Sequence, residues 1–285
     1  MRLASVAGTR LAVVADDRLV DVTDALGLAV DRRGPLQALL ERDDPAAELR
    51  ALDLAALPSR PLDGAALDAP LPRPGKVVGA PVNYRDHQAE MREQHTVADL
   101  GVFLKAGTSV VGPGGPVRLP YRDVRTDQEG ELGVVIGRTA RHVAADRALD
   151  HVFGYVPLLD ITVRSGEDRS TRKSFDTFTP LGPWVTTADE VGDPQALRLR
   201  CWVDGELRQD ASTADMVFGV RELVAYASHV MTLEPGDVIA TGTPAGVGPL
   251  AAGGSVAVEI TGLGRLEVTV TDEGAVAYAD RPGAR

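Results

Sequence analysis

The chain has 285 residues, 44% hydrophobic and 25% charged, which suits a folded globular protein with one large domain or a large and a small one. A formal net charge of −11 without any basic run argues against a nucleic-acid partner, because phosphate binding relies on a basic surface. A single cysteine excludes an intrachain disulfide, and no apolar stretch reaches the roughly 18 residues of a membrane span. The residues before Arg10 lack the sustained apolar region of a signal peptide, so a cytoplasmic enzyme is expected.

Residues 1–24 predict a small hairpin, with L-A-S-V-A, L-A-V-V-A and R-L-V-D-V separated by turn residues. Residues 35–57 carry Leu36, Leu39, Leu40, Leu49, Leu52 and Leu54 at helical spacing and predict one or two short helices. Five prolines between 58 and 75 have the composition of a linker. The expected division is a small N-terminal α+β domain over 1–70 and a catalytic domain over 71–285. From Lys76 onward, short β-like runs alternate with Gly/Pro turns, and helical signals are confined to about 83–95, 144–149 and 219–231. No βαβ alternation or glycine-rich dinucleotide fingerprint is present. The expected fold class is therefore mainly β with some α (α+β).

The stretch T-D-Q-E-G-E-L-G-V-V-I-G (126–137) leads two glutamates into an apolar, β-branched run. In a strand, Glu129 and Glu131 project to one face, with Gly130 leaving the other side open. Two buried like charges are costly unless a cation lies between them; an exposed strand end with both glutamates solvated is the alternative. Asp160, within V-P-L-L-D-I-T-V, is a third acid in apolar surroundings, with either a ligand role or an ion pair to Arg164 four residues on. Three carboxylates without clustered cysteine or histidine point to a hard cation with oxygen ligands: Mg²⁺, Mn²⁺ or Ca²⁺.

Three further groups could carry chemistry. His87 and Glu90 share a helix face three residues apart and could form a general-base dyad, or a surface pair without function. Lys173 precedes the turn-rich, aromatic F-D-T-F-T-P-L-G-P-W and could neutralise an oxyanion, or simply be solvated. The loop T-G-T-P-A-G-V-G (241–248) after a buried strand could offer backbone N–H groups and the Thr243 hydroxyl to a ligand, or be only a tight turn. Cys201, in a strand-like run, is expected to be a small core residue rather than a nucleophile.

In their order, N-Y-R-D-H-x-x-E, F-L-K, E-G-E-L-x-V-V-I-G, the G-Y and D of 154–160, K-S-F-D-T-F-x-P-L-G-P-W and G-D-V-I-A-T-G-T-P-x-G-V-G resemble the fumarylacetoacetate hydrolase family from about Lys76 to Ile260. The resemblance implies a mixed β-sandwich roll as catalytic domain, a small N-terminal domain and a homodimer. It implies Mg²⁺ or a similar ion on Glu129, Glu131 and Asp160, a His87–Glu90 pair on a lid segment, a pocket lysine at Lys173, and substrate contacts from Arg85, Arg164, Glu167 and Thr243. The implied reaction is metal-dependent hydrolysis of a C–C bond in an acylpyruvate-like or 1,3-diketo acid. Decarboxylation of an oxaloacetate-like acid, isomerisation of a 2-hydroxydienoate in aromatic catabolism, and a catalytically silent binding protein are the alternatives.

Two departures stand out. The common R-D-x-Q becomes Arg164-Ser165-Gly166-Glu167, which would add a negative charge near the substrate, with Asp168, Arg169 and Arg172 compensating it or defining another substrate subgroup. The common G-x-N-Y becomes Pro81-Val82-Asn83-Tyr84.

Overall fold

The structure, a computed structural model, describes residues 1–284. At its centre the strand Gly130–Ile136 lies between Val152–Leu159 and Val238–Ala240. Every residue of Gly130–Ile136 is buried, which accounts for its continuous apolar run. Leu132, Val134 and Ile136 face one core cluster and Val135 the other, following the two-residue period of a strand. The register is decisive for the site. Gly130 pairs with Leu159, so the chain leaving that strand places Asp160 against Glu129, whose carbonyl accepts the Asp160 N–H at 2.8 Å.

The same sheet continues on both sides to ten strands. Beyond Val238–Ala240 come Val77–Gly79 and Phe103–Lys105. On the other flank Val185–Thr187 pairs with Arg2–Val6, followed by Arg10–Ala15, Arg18–Asp21 and Ser59–Pro61. The expected hairpin over 1–24 is thus three strands. The segment before residue 70 shares both the sheet and a core cluster with later residues, since Leu3, Leu11 and Leu36 pack with Val135, Val156 and Val238.

A second sheet orders Glu206–Ser212, Arg198–Val203, Ser255–Ile260, Gly264–Thr271 and Pro116–Arg118. Between the sheets lies the main core, containing Leu132, Val134, Leu199, Val258 and Leu266, onto which the helix Val220–Val230 packs Leu223, Val224 and Ala227. The predicted helix over 83–95 runs only from Arg85 to Met91, because Arg92 turns into the left-handed region at φ 51° and closes it. The signal at 144–149 is a 3-10 helix, Ala145–His151. Among the described residues, no helix is long and apolar enough to cross a membrane.

Candidate active site

Glu129, Glu131 and Asp160 each place a carboxylate oxygen within 4.8 Å of the others, and all three are buried. Glu129 stands just before the central strand and Glu131 within it. Gly130 between them does not leave an open side: a Cβ there would lie 3.1 Å from Cys201 Cβ and Gln209 Oε1. Cys201 is a buried core residue whose thiol is pushed up to about 12 by desolvation.

Two buried lysines and one arginine face the acids. Lys105 is ion-paired to Asp160 Oδ1 and donates to the Phe178 carbonyl at 2.8 Å. Lys173 Nζ donates to Glu129 Oε2 at 2.7 Å, Asp160 Oδ2 at 2.7 Å and Thr162 Oγ1 at 2.6 Å. Arg164 reaches Asp127 Oδ2 at 2.7 Å and Glu129 Oε1 at 2.8 Å, so it does not pair with Asp160. Burial would raise the Glu129 carboxyl, but the charges of Lys173 and Arg164 outweigh it and hold the group well below its usual range. Lys173 stays above its ordinary value because Asp160, Glu129 and Glu131 overcome its desolvation. Lys105 is pushed down, chiefly by desolvation.

Glu131 differs from its neighbours. Its Oε2 accepts the Gly242 N–H at 2.8 Å, and no cationic side chain pairs with it among the described residues. Burial, the Asp160 charge and the Glu129 charge drive its carboxyl well above the usual range. An oxygen-rich, buried triad with one uncompensated carboxylate fits a divalent cation, which would supply the missing positive charge.

The helix Arg85–Met91 brings His87 to the same cleft. His87 Nδ1 lies 2.8 Å from Glu90 Oε2, and the other Glu90 oxygen accepts the Gly246 N–H at 3.0 Å. The carboxylate thus orients the ring while tying the helix to the T-G-T-P-A-G loop. Asn83 anchors the start of that helix by donating to the carbonyls of Phe218 and Thr241 and accepting the Phe218 N–H, each at 2.8 Å. Gly242 adopts φ +92°, and a Cβ there would meet Asn83 Cβ at 2.7 Å, so only glycine lets this loop turn its N–H to Glu131.

The cleft is lined by His87, Glu129, Glu131, Asp160, Arg164, Lys173 and Thr243, together with Phe103, Arg169 and Arg172. Thr243 keeps its hydroxyl on the scaffold, donating to the Gly130 carbonyl at 2.9 Å and accepting from Gln209 Nε2 at 2.7 Å. Arg85 is exposed and does not line the cleft. Glu167 turns toward the C-terminal segment, accepting the Tyr278 hydroxyl at 2.7 Å and pairing with Arg281 at 3.3 Å. Its charge is engaged there rather than at the cleft, and Asp168 caps the helix Arg169–Lys173 through the Thr171 N–H at 3.1 Å. Lys105, Asp127 and Asn83 also support the site, though none of them is among the residues that the sequence motifs single out. Only the charged end of F-L-K and the polar start of N-Y-R-D-H hinted at two of them.

Comparison with known proteins gives a consistent result. The family model for the fumarylacetoacetate (FAA) hydrolase C-terminal domain matches residues 76–271. A maleylpyruvate hydrolase from Aquipseudomonas alcaligenes is 39% identical, with 95% of this chain and 99% of that one covered. A crystal structure of maleylpyruvate hydrolase from Sphingobium sp. SYK-6, in complex with manganese(II) ion and pyruvate, superposes with a TM-score of 0.85 at 40% identity over 95% of this chain and 99% of that one. A 2-hydroxyhepta-2,4-diene-1,7-dioate isomerase from Mycobacterium marinum gives a TM-score of 0.75 at 32% identity over 95% and 98% of the two chains. The chain belongs to the fumarylacetoacetate hydrolase family.

Proposed function

We propose that this protein hydrolyses a C–C bond in an acylpyruvate or related 1,3-diketo acid, with a divalent cation on Glu129, Glu131 and Asp160 and with His87 and Glu90 activating water. The observation that carries this reading is the buried triad with its uncompensated Glu131, opening into the same cleft as a carboxylate-oriented histidine. The maleylpyruvate hydrolases among its relatives support the acylpyruvate class, and the manganese and pyruvate bound to one of them support a divalent metal and a 2-oxo-acid ligand. Mg²⁺ is the first ion to test, with Mn²⁺ and Ca²⁺ also suited to the oxygen donors.

When bound, the cation supplies Lewis acidity to the 2-oxo-acid end of the substrate. The remaining work falls to the chain's own groups. Glu90 holds the Nδ1 side of His87, leaving Nε2 to accept a proton from water. The water oxygen bonds to the distal carbonyl carbon, and collapse of that adduct breaks the bond to the adjacent methylene carbon. The electron pair stays on the pyruvate fragment as an enolate, toward which Lys173 directs its charge. The proton held at His87 returns to the methylene carbon, giving pyruvate and a free acid. A cytoplasmic homodimer belongs to the same proposal; light scattering at twice the 30.0 kDa chain mass would support the dimer.

Isomerisation is the second reading, favoured by the resemblance to the Mycobacterium marinum isomerase. It requires the enolate but no attacking water, as does decarboxylation. Turnover in water enriched in heavy oxygen separates the three. Hydrolysis forms pyruvate and places one heavy oxygen in the released acid. Release of carbon dioxide, or a product of unchanged mass, assigns the cleft to decarboxylation or isomerisation instead.

A further inference from the structure

Lys173 ends a helix that cannot hold itself in place. Arg169–Lys173 spans five residues, R-S-T-R-K, with no apolar side chain, and only Lys173 is buried. A helix this short is unstable alone, and helices in proteins draw most of their stability from packing an apolar face. Contacts outside the helix must therefore fix the direction from which Lys173 enters the cleft.

One side chain reaches both ends. At the start of the helix, the Tyr278 hydroxyl donates to Glu167 Oε1 at 2.7 Å, and Glu167 immediately precedes Asp168, which caps the helix. Arg281 adds to this clasp by pairing with Glu167 at 3.3 Å and stacking 3.7 Å over the Tyr278 ring. Past the far end, Ser174 accepts the Ala106 N–H at 3.0 Å, and Phe175 then packs edge-to-face on Tyr121. Tyr121 in turn packs edge-to-face on Tyr278, with ring centroids 5.8 Å and 5.0 Å apart along this row. Both contacts have the geometry that the ring quadrupole favours.

The row continues from Phe175 to Phe178 at 5.2 Å, and the Phe178 carbonyl is the one that accepts from Lys105. The chain has five phenylalanines and five tyrosines, so four of these ten are spent on this one row between the C-terminal segment and the site. The backbone there is anchored without the Tyr278 side chain. The Tyr278 N–H donates to Asp123 Oδ1 at 2.8 Å, and Val276 exchanges backbone hydrogen bonds with Pro120 and Arg122, each at 3.1 Å.

We propose that Tyr278 is a positioning residue, which holds the helix Arg169–Lys173 at both ends and so fixes Lys173 Nζ against Glu129 and Asp160. Its consequence for turnover rests on the reading above, in which Lys173 faces the enolate; its hold on the helix does not.

The test combines amide hydrogen exchange, read by mass spectrometry with and without Mn²⁺, with kinetics on a short acylpyruvate. In Tyr278→Leu, residues 165–175 exchange about 10-fold faster or more, while the central strand Gly130–Ile136 keeps its wild-type rate. The same variant loses about 10- to 100-fold in kcat with little change in KM, because a misdirected Lys173 gives up an interaction made only in the transition state. Tyr278→Phe, which keeps the aromatic row and loses the clasp, recovers part of both effects. Unchanged exchange over 165–175 in Tyr278→Leu overturns the proposal. So does exchange accelerated equally in the central strand, which would mark a general loss of stability, or faster local exchange at unchanged kcat. A wild type that cleaves no acylpyruvate refutes hydrolysis, and the exchange comparison then decides the role of Tyr278 by itself.

Discussion

The Gly242 N–H donates to Glu131 Oε2 across 2.8 Å, the only hydrogen bond to the Glu131 side chain among the described residues. A carboxylate 2% exposed, with Asp160 and Glu129 beside it, is destabilising when charged without a cation. Glu131→Gln therefore acts in opposite senses with and without metal. It raises the melting temperature of the metal-free protein and removes the rise that Mg²⁺ or Mn²⁺ gives the wild type. A ligand at a hundred times its Kd stabilises by about 2.7 kcal/mol, which scanning calorimetry resolves readily. An equal metal-induced rise in the variant would contradict a ligand role for Glu131.

Glu90 joins the His87 ring to the loop at Gly246. Glu90→Gln keeps the shape but removes the charge that stabilises the protonated imidazole. The expected result is a fall in kcat of about 10² or more with little change in KM. Unchanged kcat would remove His87 from its role as base.

Gly242→Ala puts a methyl group against Asn83 and a side chain at φ +92°. Such strain costs about 1–3 kcal/mol, so the variant melts lower. It also binds metal more weakly, because the N–H that orients Glu131 moves. Wild-type melting and metal affinity in this variant would show that the loop geometry is not required.

The C-terminal segment predicts a pH effect. Glu167 is held at about 2 by hydrogen bonds from Ser165 and Tyr278, with Arg281 adding to them. A carboxyl depressed below its unfolded value near 4.3 contributes stability that is complete above that value and is lost as pH falls through the folded one. Tyr278→Phe therefore lowers the melting temperature at neutral pH, and the gap to the wild type closes between about pH 5 and pH 2. A gap that widens on acidification would place the contribution elsewhere.

The parts of the site that were legible in the sequence are those whose signal is local. Glu129 and Glu131 announce themselves by alternation, His87 and Glu90 by helical spacing, and the buried strands by their apolar runs. Contacts between distant residues leave no such trace. Lys105 lies 55 residues from Asp160, and Asn83 lies 135 from Phe218, so only the closed fold shows them as partners. The same holds for Glu167, which looks like a pocket residue from its place after Arg164 but meets Tyr278 across 111 residues. The proline-rich stretch at 58–75 reads as a boundary, yet the pairing of Leu3 with Val185 carries the large sheet across it.

Metal-dependent C–C cleavage at the carboxylate triad is tested most directly by the enol absorbance of a short acylpyruvate, followed with Mg²⁺ or Mn²⁺ and again after excess chelator, in the wild type and in Glu129→Ala. The predicted result is decay with metal that stops on chelation and is absent from a folded Glu129→Ala protein. Decay that continues in chelator, or no decay by a wild type with metal demonstrably bound, would contradict it.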